Sequence, residues 1–126
     1  MRIFTKPDAP SKGKPGREGA VNLWRQWVDD PDAIRVRLRE DDALRPEDSA
    51  SVRGWAERQE EWGLRVRVHD GATGLPQLLE VFGPDGLEPH VLVRRVGEEV
   101  QVDEYHGASR LCPDMAEALD FVAGHT

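Results

Sequence analysis

Between Leu64 and Tyr105 the segments LRVRVHD, LLEVFG, HVLVRRV and VQVDEY either alternate apolar and polar residues or run apolar, with turn residues between them. A period of two puts successive side chains on opposite faces, so this stretch predicts an antiparallel meander. Gly83-Pro84-Asp85-Gly86 carries proline at the second position of a turn. With Gly97 and Glu98 as loop residues of the last hairpin, Val93 opposes Val102 and His90 opposes Tyr105. Arg94 then opposes Gln101, with Glu99 and Asp103 diagonal to it. Such a hairpin has one largely apolar face and one ion-paired face, as in a sheet with a wetted side.

Ala33 to Glu40 alternates most strictly, Ile34, Val36 and Leu38 against Arg35, Arg37 and Arg39, and predicts another strand. Three segments read as helices. Val21, Leu23, Trp24, Trp27 and Val28 fall within one helical arc from Glu18 to Asp30, and Pro31 stops it. A second helix starts near Pro46 or Asp48 and runs to Trp62, with Val52, Trp55, Ala56 and Trp62 on one face and Gly63 as terminator. A third is framed by Pro113, Asp114 and Gly124, with Met115, Leu119 and Val122 inward. The expected fold is α+β, a mostly antiparallel sheet of about five strands in the order α-β-α-β-β-β-β-α, with helices mainly on one face.

If strand 33–40 and the strand from Leu64 are parallel neighbours joined by a right-handed crossover, Arg35, Arg37, Arg39, Arg65 and Arg67 share one face. Like charges side by side repel, so that face must meet acidic groups, counterions or a partner. The β-α-β-β-β order from residue 33 to 96 resembles one half of the vicinal oxygen chelate (glyoxalase-like) architecture. That resemblance lies in element order alone, and it implies a small-molecule-binding protein or enzyme whose cup two chains complete as a homodimer.

With 126 residues, a single domain is the default. Residues 1–17 hold Pro7, Pro10, Pro15, Gly13 and Gly16 among charged groups and read as a flexible basic arm before one domain at 18–126. Net charge is −7, divided as +3 over residues 1–20 and −10 over the remainder, and all three lysines lie within the first fourteen residues. A body this acidic is a poor general ligand for polyanions, since that binding rests on neutralising phosphates. One cysteine forms no internal disulfide, the N-terminus lacks a secretory apolar core, and mean hydropathy is −0.62. These features predict a cytoplasmic, non-membrane protein, and heavy use of Arg, Ala, Gly and Asp suggests a GC-rich bacterial source.

Candidate chemistry is sparse. His69, Asp70, His90, Glu104, His106 and Cys112 are the possible metal ligands, but they lack the short-spaced pairs that zinc sites use, so no metal or other cofactor is expected. Cys112 precedes Pro113 at a helix start, where the dipole lowers a thiol pKa, yet no base or oxyanion loop accompanies it and no catalytic residue is assigned. The arginine stripes are the most unusual feature. They predict a small accessory protein that binds another protein, chaperone-, antitoxin- or immunity-like, through Arg35, Arg37, Arg39, Arg65 and Arg67, with Trp24 and Trp27 next. Nucleic-acid binding through the arm and the arginine face is an alternative that the acidic body disfavours. The small-molecule alternative calls for His69, His90, His106 or Tyr105 to converge on one cavity.

Overall fold

The structure is a computed structural model that describes residues 21–60, 63–84 and 86–125; the arm, the first residues of the expected Glu18 helix and Trp62 lie outside this set. The fold is α+β. Helices α1 (Trp24–Asp29), α2 (Pro31–Arg35) and α3 (Pro46–Gln59) precede strands β1 (Arg65–Asp70), β2 (Pro76–Phe82), β3 (Val91–Val96), β4 (Glu99–Glu104) and β5 (Ser109–Cys112), and α4 (Met115–His125) closes the chain. The strands form one antiparallel sheet in sequence order. No helix among the described residues is long and apolar enough to cross a membrane.

All four strands expected between Leu64 and Tyr105 form, and the hairpin register is as the turn required, with Val93 opposite Val102 and Arg94 opposite Gln101. Gly97, at φ +68°, takes the left-handed conformation that a two-residue loop demands. Gly63, at φ +82°, turns the chain from α3 into β1, and a Cβ there would sit 3.2 Å from the Pro84 side chain.

The strand expected at 33–40 does not form. Asp30 accepts a hydrogen bond from the Ala33 N–H, Pro31 occupies the first helical turn, and the stretch begins as α2 before passing through a turn into a 3₁₀ segment, Glu40–Asp42. Ile34 and Leu38 are four apart, so they share a side in a helical chain as well as in a strand; Ile34 is buried and Val36 is 67% exposed. The β-α-β-β-β order on which the glyoxalase-like resemblance rested, and the parallel crossover with it, are therefore absent. The fifth strand instead lies at the opposite edge, where β5 pairs with β4.

Strand alternation sends residues into two cores. Leu79, Val81, Val91, Val93, Val100 and Val102 face α3 and α4, meeting Val52, Trp55, Met115 and Leu119. Leu78 and Leu92 face the opposite way, against Leu23, Trp24, Trp27 and Ile34 of the α1–α2 layer. The polar face of the hairpin is consequently covered and not wetted. Arg94, Gln101 and Asp103 are all buried, Asp103 completely.

Burial of charge requires pairing. Asp103 accepts hydrogen bonds from the Leu23 N–H (3.1 Å), Arg94 Nε (3.1 Å), Gln101 Nε2 (2.6 Å) and Ser109 Oγ (2.9 Å). Arg94 Nη2 donates in turn to the Val21 carbonyl at 2.8 Å. On the other face Arg95 donates from Nε and Nη2 to Asp48, at 2.5 and 2.9 Å, and the Arg45 N–H caps the same carboxylate at 2.9 Å. Burial alone would raise the Asp48 pKa; the Arg95 hydrogen bond, the Arg45 N–H and the nearby arginine charges outweigh it, so the net shift is downward.

Asp103→Ala is expected to lower unfolding stability by about 3–5 kcal/mol, because it strands a buried guanidinium, and urea titration measures this. The Asp48 carboxyl has a lower pKa folded than unfolded, so the unfolded chain binds more protons as pH falls. Its stabilisation is full above about pH 4, the unfolded value, and is lost as pH drops through the folded one. The difference in urea midpoint between wild type and Asp48→Asn should therefore narrow below about pH 4; a constant difference would show that this pair does not carry the acid sensitivity.

Candidate functional site

The segment joining β2 to β3 supplies the most distinctive surface. Trp24 Nε1 donates to the Pro89 carbonyl at 2.7 Å from one side, and Arg65 Nη2 to the Gly86 carbonyl at 2.9 Å from the other. The His90 N–H donates to the Val81 carbonyl at 2.8 Å, which returns the chain to the sheet. Between these clamps Leu87 is 96% exposed. A single exposed leucine is ordinary, but this one borders two hollows built from most of the described aromatic groups.

The first hollow, about 690 Å³ and open to solvent, is lined by Trp24, Leu87, His90 and Tyr105. Tyr105 packs edge-on to Trp24 at 6.2 Å between ring centroids and lies 6.0 Å from His90. The second, about 400 Å³, is lined by Trp27, Pro31, Arg65, Arg67, Phe82 and Leu87. The Arg65 and Arg67 guanidinium carbons stand 4.9 and 5.5 Å from the Phe82 ring centroid, within cation–π range. Beneath them the Glu80 carboxylate accepts from Trp27 Nε1 at 2.6 Å and lies 2.6 Å from His69 Nε2. Arg67 Nη1 is 3.9 Å from the same carboxylate. Glu80 is thus held from several sides, and the two exposed guanidiniums share the rim of this hollow with Glu88.

Of the residues singled out in the sequence, Arg65, Arg67, Trp24 and Trp27 are brought around this segment. The tryptophans are core groups, 5% and 1% exposed, so they shape the walls and offer little contact area. Arg35, Arg37 and Arg39 are not on the sheet. Arg35 Nε donates to the Asp70 carbonyl at 2.8 Å, Arg37 to Gln26 Oε1 at 3.3 Å, and Arg39 pairs with Asp41 at 3.0 Å. Arg37 and Arg39 border a different cleft, shared with Arg94 and Arg95. The five arginines therefore do not share one face, because the strand that was to carry three of them is not there.

Among the other candidates, His90, Tyr105 and His106 gather, the Tyr105 and His106 rings lying 5.3 Å apart, while His69 stands on the other side against Trp27 at 4.7 Å. His106 Nε2 lies 2.8 Å from Glu104. No group of three or more His, Cys, Asp or Glu among the described residues is placed to hold a metal ion. Leu87 was not anticipated from sequence, since a lone apolar residue inside GPDGLEPH has no period; its signal was being the only large apolar side chain in a turn-forming stretch. No known protein family, curated protein or solved structure matches this chain.

Cys112 ends β5 and is 3% exposed. Burial pushes its thiol pKa up, against the hydrogen bond and charge of Arg110, which pull it down, and the net shift is upward. Cys112 should accordingly resist a disulfide-exchange reagent at neutral pH until the chain unfolds; modification of the native protein within minutes would contradict its burial.

Proposed function

We propose that this protein is a small bacterial accessory module, chaperone-, antitoxin- or immunity-like, that acts in the cytoplasm by binding another protein through the β2–β3 segment. The observation that carries the reading is Leu87, almost fully exposed on a segment clamped from both sides and bordered by two aromatic-walled hollows. Interface hot spots pair a protruding anchor with aromatic and arginine neighbours that exclude water around it. A clamped segment has little conformational entropy left to lose on docking. Arg65 and Arg67, exposed beside Phe82, select a partner that brings carboxylates next to its apolar contact. The partner chemistry is thus a protein segment with an apolar pocket for Leu87 and acidic groups flanking it.

A second reading has support from one observation. The hollow of about 690 Å³ lies within the volume range of small-molecule sites and has Tyr105 and His90 at its wall. Under that reading an aromatic metabolite would bind there and quench Trp24 fluorescence.

The test compares capture from the native cell lysate, after nuclease treatment, by wild type, Leu87→Asp, Arg65→Ser/Arg67→Ser and the control Arg53→Ser. Leu87→Asp should keep the wild-type unfolding midpoint, because the side chain is exposed, yet lose at least roughly tenfold in partner affinity. Arg65→Ser/Arg67→Ser should weaken capture more at low salt than at high, and Arg53→Ser should match wild type. The same protein retained equally by wild type and all three variants would reject this surface.

A further inference from the structure

The larger hollow beside Leu87 lies where the chain enters the fold. Asn22 Nδ2 donates to the Glu104 carbonyl at 3.0 Å and to the Ala108 carbonyl at 2.7 Å, the two ends of the turn that carries Tyr105 and His106. Trp24, two residues further on, is already part of the hollow's wall. Residues 1–20 therefore lead into the structure at the mouth of a space of about 690 Å³.

The chemistry of that space is aromatic. Tyr105 is 58% exposed and Leu87 96%, and the Trp24 and His90 rings stand 6.2 and 6.0 Å from the Tyr105 ring, tilted or edge-on to it. Rings set at such angles leave slots between them. Aromatic-lined grooves of this kind take proline-rich segments in the polyproline II conformation, which lose little entropy on docking because proline has already fixed the backbone.

The sequence carries such a segment within reach. Residues 7–10 read Pro7-Asp8-Ala9-Pro10, two prolines three apart. Polyproline II has three residues per turn and rises ~3.1 Å per residue, so this spacing puts both rings on one side, ~9 Å apart. Pro15 is five residues past Pro10 and falls out of that register. Residues 11–20 form the tether; each spans up to ~3.3 Å when extended, and the Asn22 anchor already lies one residue from Tyr105.

We propose that residues 7–10 dock on the hollow formed by Trp24, Leu87, His90 and Tyr105 of the same chain. A short tether presents the segment at ~millimolar effective concentration, so a contact of ~millimolar intrinsic affinity is already about half occupied. A proline-rich segment of another protein, or a second copy of this one, has to displace it. The contact is with the hollow, and it stands or falls independently of what Leu87 binds.

The experiment is NMR of the purified full chain, with amide resonances compared among wild type, Pro7→Ala/Pro10→Ala, Pro15→Ala and Tyr105→Ser. Replacing Pro7 and Pro10 should move the Leu87, His90 and Tyr105 amides and leave those of Val52 and Leu119, on the other face of the sheet, in place. Pro15→Ala should leave all of them in place. Tyr105→Ser should in turn move the Asp8, Ala9 and Ser11 amides while keeping the wild-type unfolding midpoint, since the side chain it removes is largely exposed. Wild-type resonances should hold their positions on roughly tenfold dilution, because a tethered contact does not depend on protein concentration. Hollow amides unmoved by Pro7→Ala/Pro10→Ala, or moved as far by Pro15→Ala, would overturn the docking. So would Asp8, Ala9 and Ser11 amides indifferent to Tyr105→Ser. Resonances of the hollow that shift on dilution would assign the occupant to a second copy and overturn it too.

Discussion

A carboxylate with no access to water has to be satisfied by the protein, and Asp103 imposes that condition on this fold. Its four donors come from the segment before α1, from β3, from β4 itself and from β5. Removing any one of these elements leaves the charge short of partners in a medium where that is expensive. The Arg94 it holds reaches on to the Val21 carbonyl, so the N-terminal layer is attached to the sheet by polar as well as apolar contacts. Trp24 and Trp27 extend the attachment through their indole N–H groups, to Pro89 and Glu80. Short helices of six and five residues have little stability of their own, and this anchoring, with the burial of two tryptophans, is what keeps them on the sheet.

This layer also decides where surfaces for binding can exist. The sheet is covered on both faces, by α3 and α4 on one side and by α1 and α2 on the other. What stays open are the seams. One lies where the β2–β3 segment meets α1, another where the chain leaves α2 to cross toward α3, and a third between the end of α3 and β1. Each seam gathers side chains from elements distant in sequence, as binding sites on a rigid scaffold commonly do.

The meander was legible because each strand carried its own period and each turn its own glycine or proline. The hairpin register followed from turn length alone, and the inward residues of α4 from their spacing. The segment from Ala33 to Glu40 was misread because three apolar residues two apart contain two that are four apart, and local periodicity cannot rank the options. The deciding signal was Asp30-Pro31, which both closes α1 and opens α2. Equally, the hairpin's ion-paired face read as wetted because alternation shows polarity and not exposure; only long-range contacts from α1 could reveal that Arg94 and Asp103 are covered. The site was legible in part. Arg65, Arg67 and the tryptophans stood out by type, whereas Leu87 and the joining of Arg37 and Arg39 to Arg94 and Arg95 depend on the tertiary arrangement.

The distribution of charge makes these seams selective. Residues 21–126 carry −10, so the body as a whole repels polyanions at distances beyond the ~8 Å over which physiological salt screens charge. Within that range the nearest groups dominate; the first seam sets Arg65 and Arg67 beside Glu80 and Glu88, and the second sets Arg37, Arg39, Arg94 and Arg95 beside Asp42. A nucleic acid must bring many phosphates close to the acidic body to reach either seam, and the repulsion grows with each one. A protein segment with a few carboxylates beside an apolar pocket meets the arginines without bringing a long charged chain along. Concentrating arginine at two seams of an acidic domain therefore favours compact ligands over extended polyanions, and this discrimination follows from where the charges sit whatever the partner's identity.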